Sequence, residues 1–197
     1  MLAKINKPKS WSNHQNGDDW NKLWEESRTG NSESLSKIFC YTYSQMFNYG
    51  YKIVQDEDIV KDCIQELFMN LWYNRNEVSE AHSVKSYLLS SLRRIIFRRL
   101  KKQINRTKRN YEYSRDMFAE MYNVEELMIH FETKEKQKQQ LLEALQALSK
   151  RQKEAVYLKF FNGLSNSEIS EVMELNKQSV YNHISKAIQK MQDFIQV

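Results

Sequence analysis

Arg93, Arg94, Arg98, Lys101 and Lys102 gather on one side of a helical stretch with Phe97 among them. Arg106, Lys108 and Arg109 extend the run with no acid between Arg93 and Arg109. Like charges crowded on one helix repel, each pair costing roughly a few tenths of a kcal/mol. A polyanion relieves that repulsion and releases counterions on binding, so the stripe points to nucleic acid. An aromatic ring amid cations offers a stacking platform for an unpaired base. Phe97 serves equally well as a core residue, and spacing alone leaves both roles open.

A second constellation lies nearer the C-terminus. Ser165-Asn166-Ser167-Glu168 reads as a capping box, in which the hydroxyl accepts from the Glu168 amide and the carboxylate returns to the Ser165 amide. Ile169, Val172 and Met173 give the short helix that follows a buried side. Glu174-Leu175-Asn176 makes a turn, with Asn176 suited to cap the next helix. That helix buries Val180, Ile184, Ala187, Ile188 and Met191. Gln178, Asn182 and Ser185 point away from the stripe, flanked by Lys177, Ser179, Tyr181 and Lys186. Two short helices and a tight turn make a helix-turn-helix, whose second helix can enter the major groove. Outward amides suit adenine edges, and lysines and hydroxyls suit phosphates. A plain helical hairpin is the bland alternative, and the turn lacks the glycine often found there.

A third face belongs to the stretch Asp58–Trp72. Ile59, Val60, Cys63, Ile64, Leu67, Phe68, Leu71 and Trp72 form a wide apolar stripe, with Asp62, Gln65, Glu66 and Met69 on the opposite side. Periodicity does not decide between a solvated face and a protein-docking face. Catalysis finds no foothold: there is no glycine-rich phosphate loop, nucleophile elbow or useful carboxylate pair. His14, His82, His130 and His183 have no metal spacing, and His183 borders an apolar stripe where partial burial is expected. Neither a metal nor another cofactor is implied. Cys40 and Cys63 lie among apolar helical positions and read as core thiols.

The elements that must position these faces are helices. One proline and four glycines in 197 residues are too few for the frequent turns of an all-β chain, while 41% apolar residues suffice for packed cores. The expected architecture is all-α: two small helical domains joined by a flexible linker, the C-terminal one carrying the helix-turn-helix. Residues 1–17 read as a loose arm, 18–106 as the first domain, 107–134 as the linker and 135–197 as the second domain. Trp20, Leu23 and Trp24 fall at helical spacing before a break at Gly30-Asn31-Ser32. Helices are then expected over about 34–51, with Leu35, Ile38, Phe39, Tyr43, Met46 and Phe47 in the core, and over 56–72 and 84–105. Further helices are expected over 134–148, 150–161, 166–174 and 177–195. On the 84–105 helix, Leu88, Leu89, Leu92, Ile96 and Leu100 supply the apolar stripe. The net charge of +5 means little until its segregation onto the first stripe is noticed. No signal peptide or membrane span is visible, so a cytoplasmic protein without membrane insertion is expected.

Val60-Lys61-Asp62-Cys63-Ile64-Gln65-Glu66-Leu67-Phe68-Met69-Asn70-Leu71-Trp72 resembles the polymerase-docking helix of extracytoplasmic-function (ECF) sigma factors. Leu148-Ser149-Lys150-Arg151-Gln152 through Phe160-Phe161-Asn162-Gly163-Leu164-Ser165, and on through Lys190, resembles their promoter-reading C-terminal domain. The resemblance covers about Trp20–Lys102 and Lys138–Ile195. It implies that Asp62, Gln65, Glu66 and Met69 contact core RNA polymerase. It implies that Arg93, Arg94, Phe97, Arg98, Lys101 and Lys102, with the loop about Arg75 to Lys85, hold minus-ten promoter DNA. By the same resemblance Lys177, Gln178, Ser179, Tyr181, Asn182 and Lys186 read the minus-thirty-five element. An anti-sigma factor is a further partner implied for the class. The rival readings are a two-domain helix-turn-helix regulator that is not a sigma subunit and a helical RNA-binding or assembly protein. The regulator explains the helix-turn-helix equally well, but not the separate basic stripe or the acidic-amide face.

Overall fold

Two tryptophans one turn apart start the fold. In the computed structural model, which describes residues 17–78, 81–107 and 143–195, helix α1 spans Gly17–Arg28. Trp20 and Trp24 are buried on one side of it, edge-on to Tyr41 and Tyr87 respectively. The expected break after α1 has two working parts. Gly30 takes φ +100°, a conformation that glycine adopts without a steric penalty. Asn31 then caps α2 (Ser32–Val54), its Oδ1 accepting from the Glu33 and Ser34 amides at 3.0 and 3.2 Å. Asp56 caps α3 (Glu57–Tyr73) in the same way, accepting from Asp58 and Ile59. Helix α4 (Val84–Thr107) follows Ser83, whose hydroxyl accepts from the Ser86 amide at 3.3 Å.

These four helices make the frame of one compact unit, and the helices from residue 143 onward belong to a second. The first core takes Ile38, Met46 and Tyr49 from α2, Val60, Ile64, Leu67 and Leu71 from α3, and Leu88, Leu89, Leu92 and Ile96 from α4. The expected stripes of α3 and α4 are the ones buried, with Ile59 and Trp72 half-buried at the edges and Ile95 added. Gly50 marks the closest approach: a Cβ there would lie 2.9 Å from Val60 Cγ1 and 3.3 Å from Ile96 Cδ1.

Helix α2 departs from expectation. Its buried side is Ile38, Thr42, Met46 and Tyr49, while Phe39 is exposed and Leu35, Tyr43 and Phe47 are only half-buried. The helix is rotated by about one residue, because Thr42 can enter the core once its hydroxyl donates to the Ile38 carbonyl at 2.8 Å. Phe39, Tyr43, Phe47 and Tyr51 instead form a ladder at four-residue spacing, successive ring centroids 5.3, 6.1 and 6.2 Å apart. The same rotation corrects the reading of Cys40, which is exposed, whereas Cys63 is buried as expected.

In the second unit a helical turn over 143–146 leads to α5 (Lys150–Phe160), α6 (Asn166–Met173) and α7 (Lys177–Ile195), and these three helices pack on one another. Reciprocal capping boxes, Ser149 with Gln152 and Ser165 with Glu168, start α5 and α6. Leu145, Leu148, Val156 and Ala187 form a buried cluster with Phe161 and Met191 against it. Val180 and Ile184 are buried too, but Ile188, expected inside, is 37% exposed at the edge of the stripe. The turn between α6 and α7 has no glycine because Glu174 itself takes the left-handed conformation, φ 53° and ψ 47°. Its amide reaches the Glu171 carbonyl and that of Leu175 reaches Ser170, closing the helix in a Schellman motif. The expected linker beyond Thr107, the arm before Gly17 and the helix start near Lys134 lie outside the described residues.

Candidate functional site

Asp62, Gln65 and Met69 are exposed on one ridge of α3, and Glu66 is half-buried beside them. Both acids, Asp62 and Glu66, face α4. Arg99 Nη2 donates to Asp62 Oδ2 at 2.9 Å, and Arg98 Nη2 donates to Glu66 Oε1. The acidic ridge and the basic stripe, read from the sequence as separate surfaces, therefore meet edge to edge. The absence of acids along Arg93–Arg109 is partly made good by α3, which supplies them from another helix. Arg99 was missed in the sequence, because its partners Asp62 and Cys63 lie on α3, 37 and 36 residues away. Arg99 also donates to Cys63 Sγ at 3.9 Å. Burial pushes the Cys63 thiol up, and the guanidinium beside it pulls the other way. The same contact, together with Asp62, holds the Arg99 guanidinium more firmly protonated than usual.

On the other flank of the ridge an apolar groove of about 580 Å³ opens between α2 and α3. Phe39, Phe68, Met69 and Tyr73 line it, with Lys61 and Gln65 at its polar edge. Phe39 stands edge-on to Phe68 at 5.0 Å, Met69 is 48% exposed and Tyr73 is 71% exposed. An amide and a lysine bordering exposed Met and aromatic side chains is a composition suited to protein docking. Lys61 is held by Glu57 at 2.9 Å, which raises its pKa, and lies over the Phe47 ring.

Farther along α4, Arg94, Lys101 and Lys102 are exposed. Arg94 stays close to its own helix, donating to the Ser90 carbonyl at 3.3 Å. Phe97 is neither core nor free platform: it is half-buried, and the Arg93 guanidinium sits 4.5 Å from its ring centroid. A base would reach that stack by adding to the guanidinium plane or displacing it. In the loop before α4, Arg75 turns back to donate to the Trp72 carbonyl at 2.8 Å and stacks on the Trp72 ring.

Helix α7 presents Lys177, Gln178, Tyr181, Asn182 and Lys186 to solvent, with Ser179 half-buried. Asn176 caps the helix through a 2.7 Å bond from the Ser179 amide. Gln178 Nε2 donates to Asn182 Oδ1 at 3.1 Å. His183 is half-buried, and burial first, then the charges of Arg151 and Lys186, lower its pKa below the usual histidine range. No helix among the described residues is long and apolar enough to cross a membrane.

Comparison with known proteins accounts for both units. The family model of sigma-70 region 2 matches residues 41–106, and that of sigma-70 region 4 matches residues 138–191. Curated relatives include the ECF RNA polymerase sigma factor SigK of Mycobacterium bovis, 18% identical over 83% of this chain and 87% of that protein. SigK of Mycobacterium ulcerans is 16% identical over 89% and 93%. Among solved structures, CnrH in complex with the cytosolic domain of CnrY covers 91% of this chain and 98% of its own, at TM-score 0.59 and 15% identity. The sigma factor RpoE of Bartonella quintana, in complex with the anti-sigma factor NepR, covers 82% and 96% at TM-score 0.54 and 15% identity. With regions 2 and 4 matched in that order over more than half of its residues, the chain belongs to the ECF sigma factors, non-enzymatic, DNA-binding factors of transcription initiation.

Proposed function

We propose that the first unit docks on core RNA polymerase through Asp62, Gln65, Glu66 and Met69, and that the chain then directs initiation at promoters it reads itself. The observation that carries this reading is the α3 ridge, where Gln65 and exposed Met69 line an open apolar groove and Asp62 and Glu66 stand on the flank toward α4. Minus-ten DNA is held along α4 by Arg93, Arg94, Arg98, Lys101 and Lys102. Opening is driven by phosphate contacts and by stacking an extruded base on the Arg93–Phe97 pair. Helix α7 enters the major groove at the minus-thirty-five element, Gln178 and Asn182 toward base edges and Lys177, Ser179, Tyr181 and Lys186 toward the backbone. Residues 18–106 and 135–197 act as the two functional domains and 107–134 as the connection between them. Holding both DNA surfaces on polymerase turns weak separate contacts into a high effective concentration.

The protein acts in the cytoplasm with its polymerase. An anti-sigma factor is its regulatory partner; the RpoE of Bartonella quintana is seen in complex with one, NepR. The test is reconstituted transcription with purified core polymerase and genomic promoter fragments. Promoter-specific initiation that requires this chain is expected. A chain that binds DNA but neither binds core polymerase nor initiates would be a helix-turn-helix regulator instead.

A further inference from the structure

Arg94, Arg98 and Lys102 follow one another at four-residue spacing along α4, all three exposed, so Arg98 sits at the centre of the basic stripe. Glu66 of α3 accepts from Arg98 there, and Asp62, one turn earlier on α3, accepts from Arg99 at 2.9 Å. The four side chains keep between 40% and 58% of their surface exposed. Exposed pairs of this kind are weak, because water and salt compete for both charges. A stronger ligand can therefore replace either member. A phosphate brought to Arg98 or Arg99 competes with the carboxylate already there, and a cationic protein surface brought to Asp62 or Glu66 competes with the guanidinium. Three of the four groups belong to the two proposed interfaces, Asp62 and Glu66 to polymerase and Arg98 to DNA. Arg99 stands at the seam between them.

We propose that the two ion pairs form an interlock between docking and DNA binding. In the free chain Asp62 and Glu66 hold down the charge of the α4 stripe. Polymerase, by engaging the acids, releases Arg98 and Arg99 to phosphate, and Arg99 becomes a further residue of the DNA surface. The inference rests on the reading of α3 as the polymerase face and α4 as the minus-ten face. Coupling of this kind is reciprocal: whatever the pairs subtract from DNA affinity in the free chain they subtract equally from polymerase affinity. With both partners bound, the pairs are broken once and not twice, so each partner favours the other.

The experiment first measures the affinity of the purified full chain for a labelled single-stranded DNA of mixed sequence, about twelve nucleotides long, at low salt. Asp62→Asn and Glu66→Gln should each strengthen binding about twofold, and the double variant about fourfold. In a chain carrying Arg99→Met the gain from Asp62→Asn should vanish, and in one carrying Arg98→Met so should the gain from Glu66→Gln. Circular dichroism confirms that each variant is folded. A gain that survives loss of the arginine reports only the change in net charge and overturns the interlock, as does the absence of any gain. The acid variants are then compared under saturating core polymerase, on a promoter fragment from which the wild-type holoenzyme initiates. There the gain should disappear, because the acids are already engaged, and a gain that persists overturns release by polymerase. Core binding of the same variants tests the underlying reading separately. Unchanged core affinity removes the docking assignment, whereas the cycle with the arginines alone decides whether the acids mask the stripe.

Discussion

The polar faces of the two units are held in opposite ways. On the first unit, Glu66 is met by Arg98 and Asp62 by Arg99, partners 32 and 37 residues away on another helix. On the second unit the corresponding bonds are local. Ser165 pairs with Glu168, Asn176 with Ser179 and Gln178 with Asn182, each within four residues. The second unit thus builds its face from helix caps and one-turn pairs, so each helix carries its own geometry. The first needs α3 and α4 assembled before its face exists. A face made of opposite charges shared between helices can be opened by a charged partner, whereas one made of local amide bonds arrives preformed.

The largest effect that would break this comparison is a charge reversal. Asp62→Arg with Glu66→Arg replaces both acids of the ridge, and core polymerase should then bind more weakly by about 2–3 kcal/mol. Circular dichroism should stay unchanged, because both acids sit at the surface. Exchanging the charges, Glu66→Arg with Arg98→Glu, sharpens the point: it rebuilds an ion pair between α3 and α4 without restoring the acid on the ridge. If the exchanged variant recovers full polymerase affinity, the acids serve only to hold the helices together and the docking assignment fails.

The same contrast explains what could be read from the sequence. Capping boxes, the Asn176 cap and the helix-turn-helix depend on residues within a turn of each other, and Ser165-Asn166-Ser167-Glu168 announces its geometry directly. The apolar stripe of α4 was legible for the same reason. The register of α2 was not, since Phe39, Tyr43 and Phe47 satisfy helical periodicity as well as Ile38, Thr42 and Met46 do. The choice between them rests on α3 and α4 and on a threonine that satisfies its own hydroxyl. Nor were the Asp62–Arg99 and Glu66–Arg98 pairs legible, because no local spacing relates α3 to α4. The proposed docking face came only from family resemblance, which holds information about a partner that periodicity lacks.

A smaller effect tests the local half of the comparison. Ser165→Ala removes the acceptor for the Glu168 amide, while the residue 165 amide can still donate to the Glu168 carboxylate. Losses of this kind cost about 1 kcal/mol, within roughly 0.5–2. Urea unfolding of the full chain, followed by a probe in the second unit, should show the midpoint falling for Ser165→Ala and unmoved for Glu66→Gln. Equal loss in both variants would mean that the two faces are not held independently.

The smallest expected effect bears on the first face alone. Arg98 and Glu66 remain 56% and 40% exposed, so water and salt screen their attraction and ordering two long side chains offsets part of it. A double-mutant cycle with Glu66→Gln and Arg98→Met should give a stability coupling of about 0.5 kcal/mol or less, shrinking as salt is added. Such weakness suits the proposed roles of both residues. An acid destined for polymerase and an arginine destined for phosphate can each leave the other at little cost, and the core of Val60, Ile64, Leu89 and Ile96 keeps the helices in place meanwhile. A coupling above about 1.5 kcal/mol would instead make the pair a clasp between α3 and α4. Docking at Glu66 would then be opposed by the loss of that clasp, and the division between a face opened by its partner and a face made in advance would not hold.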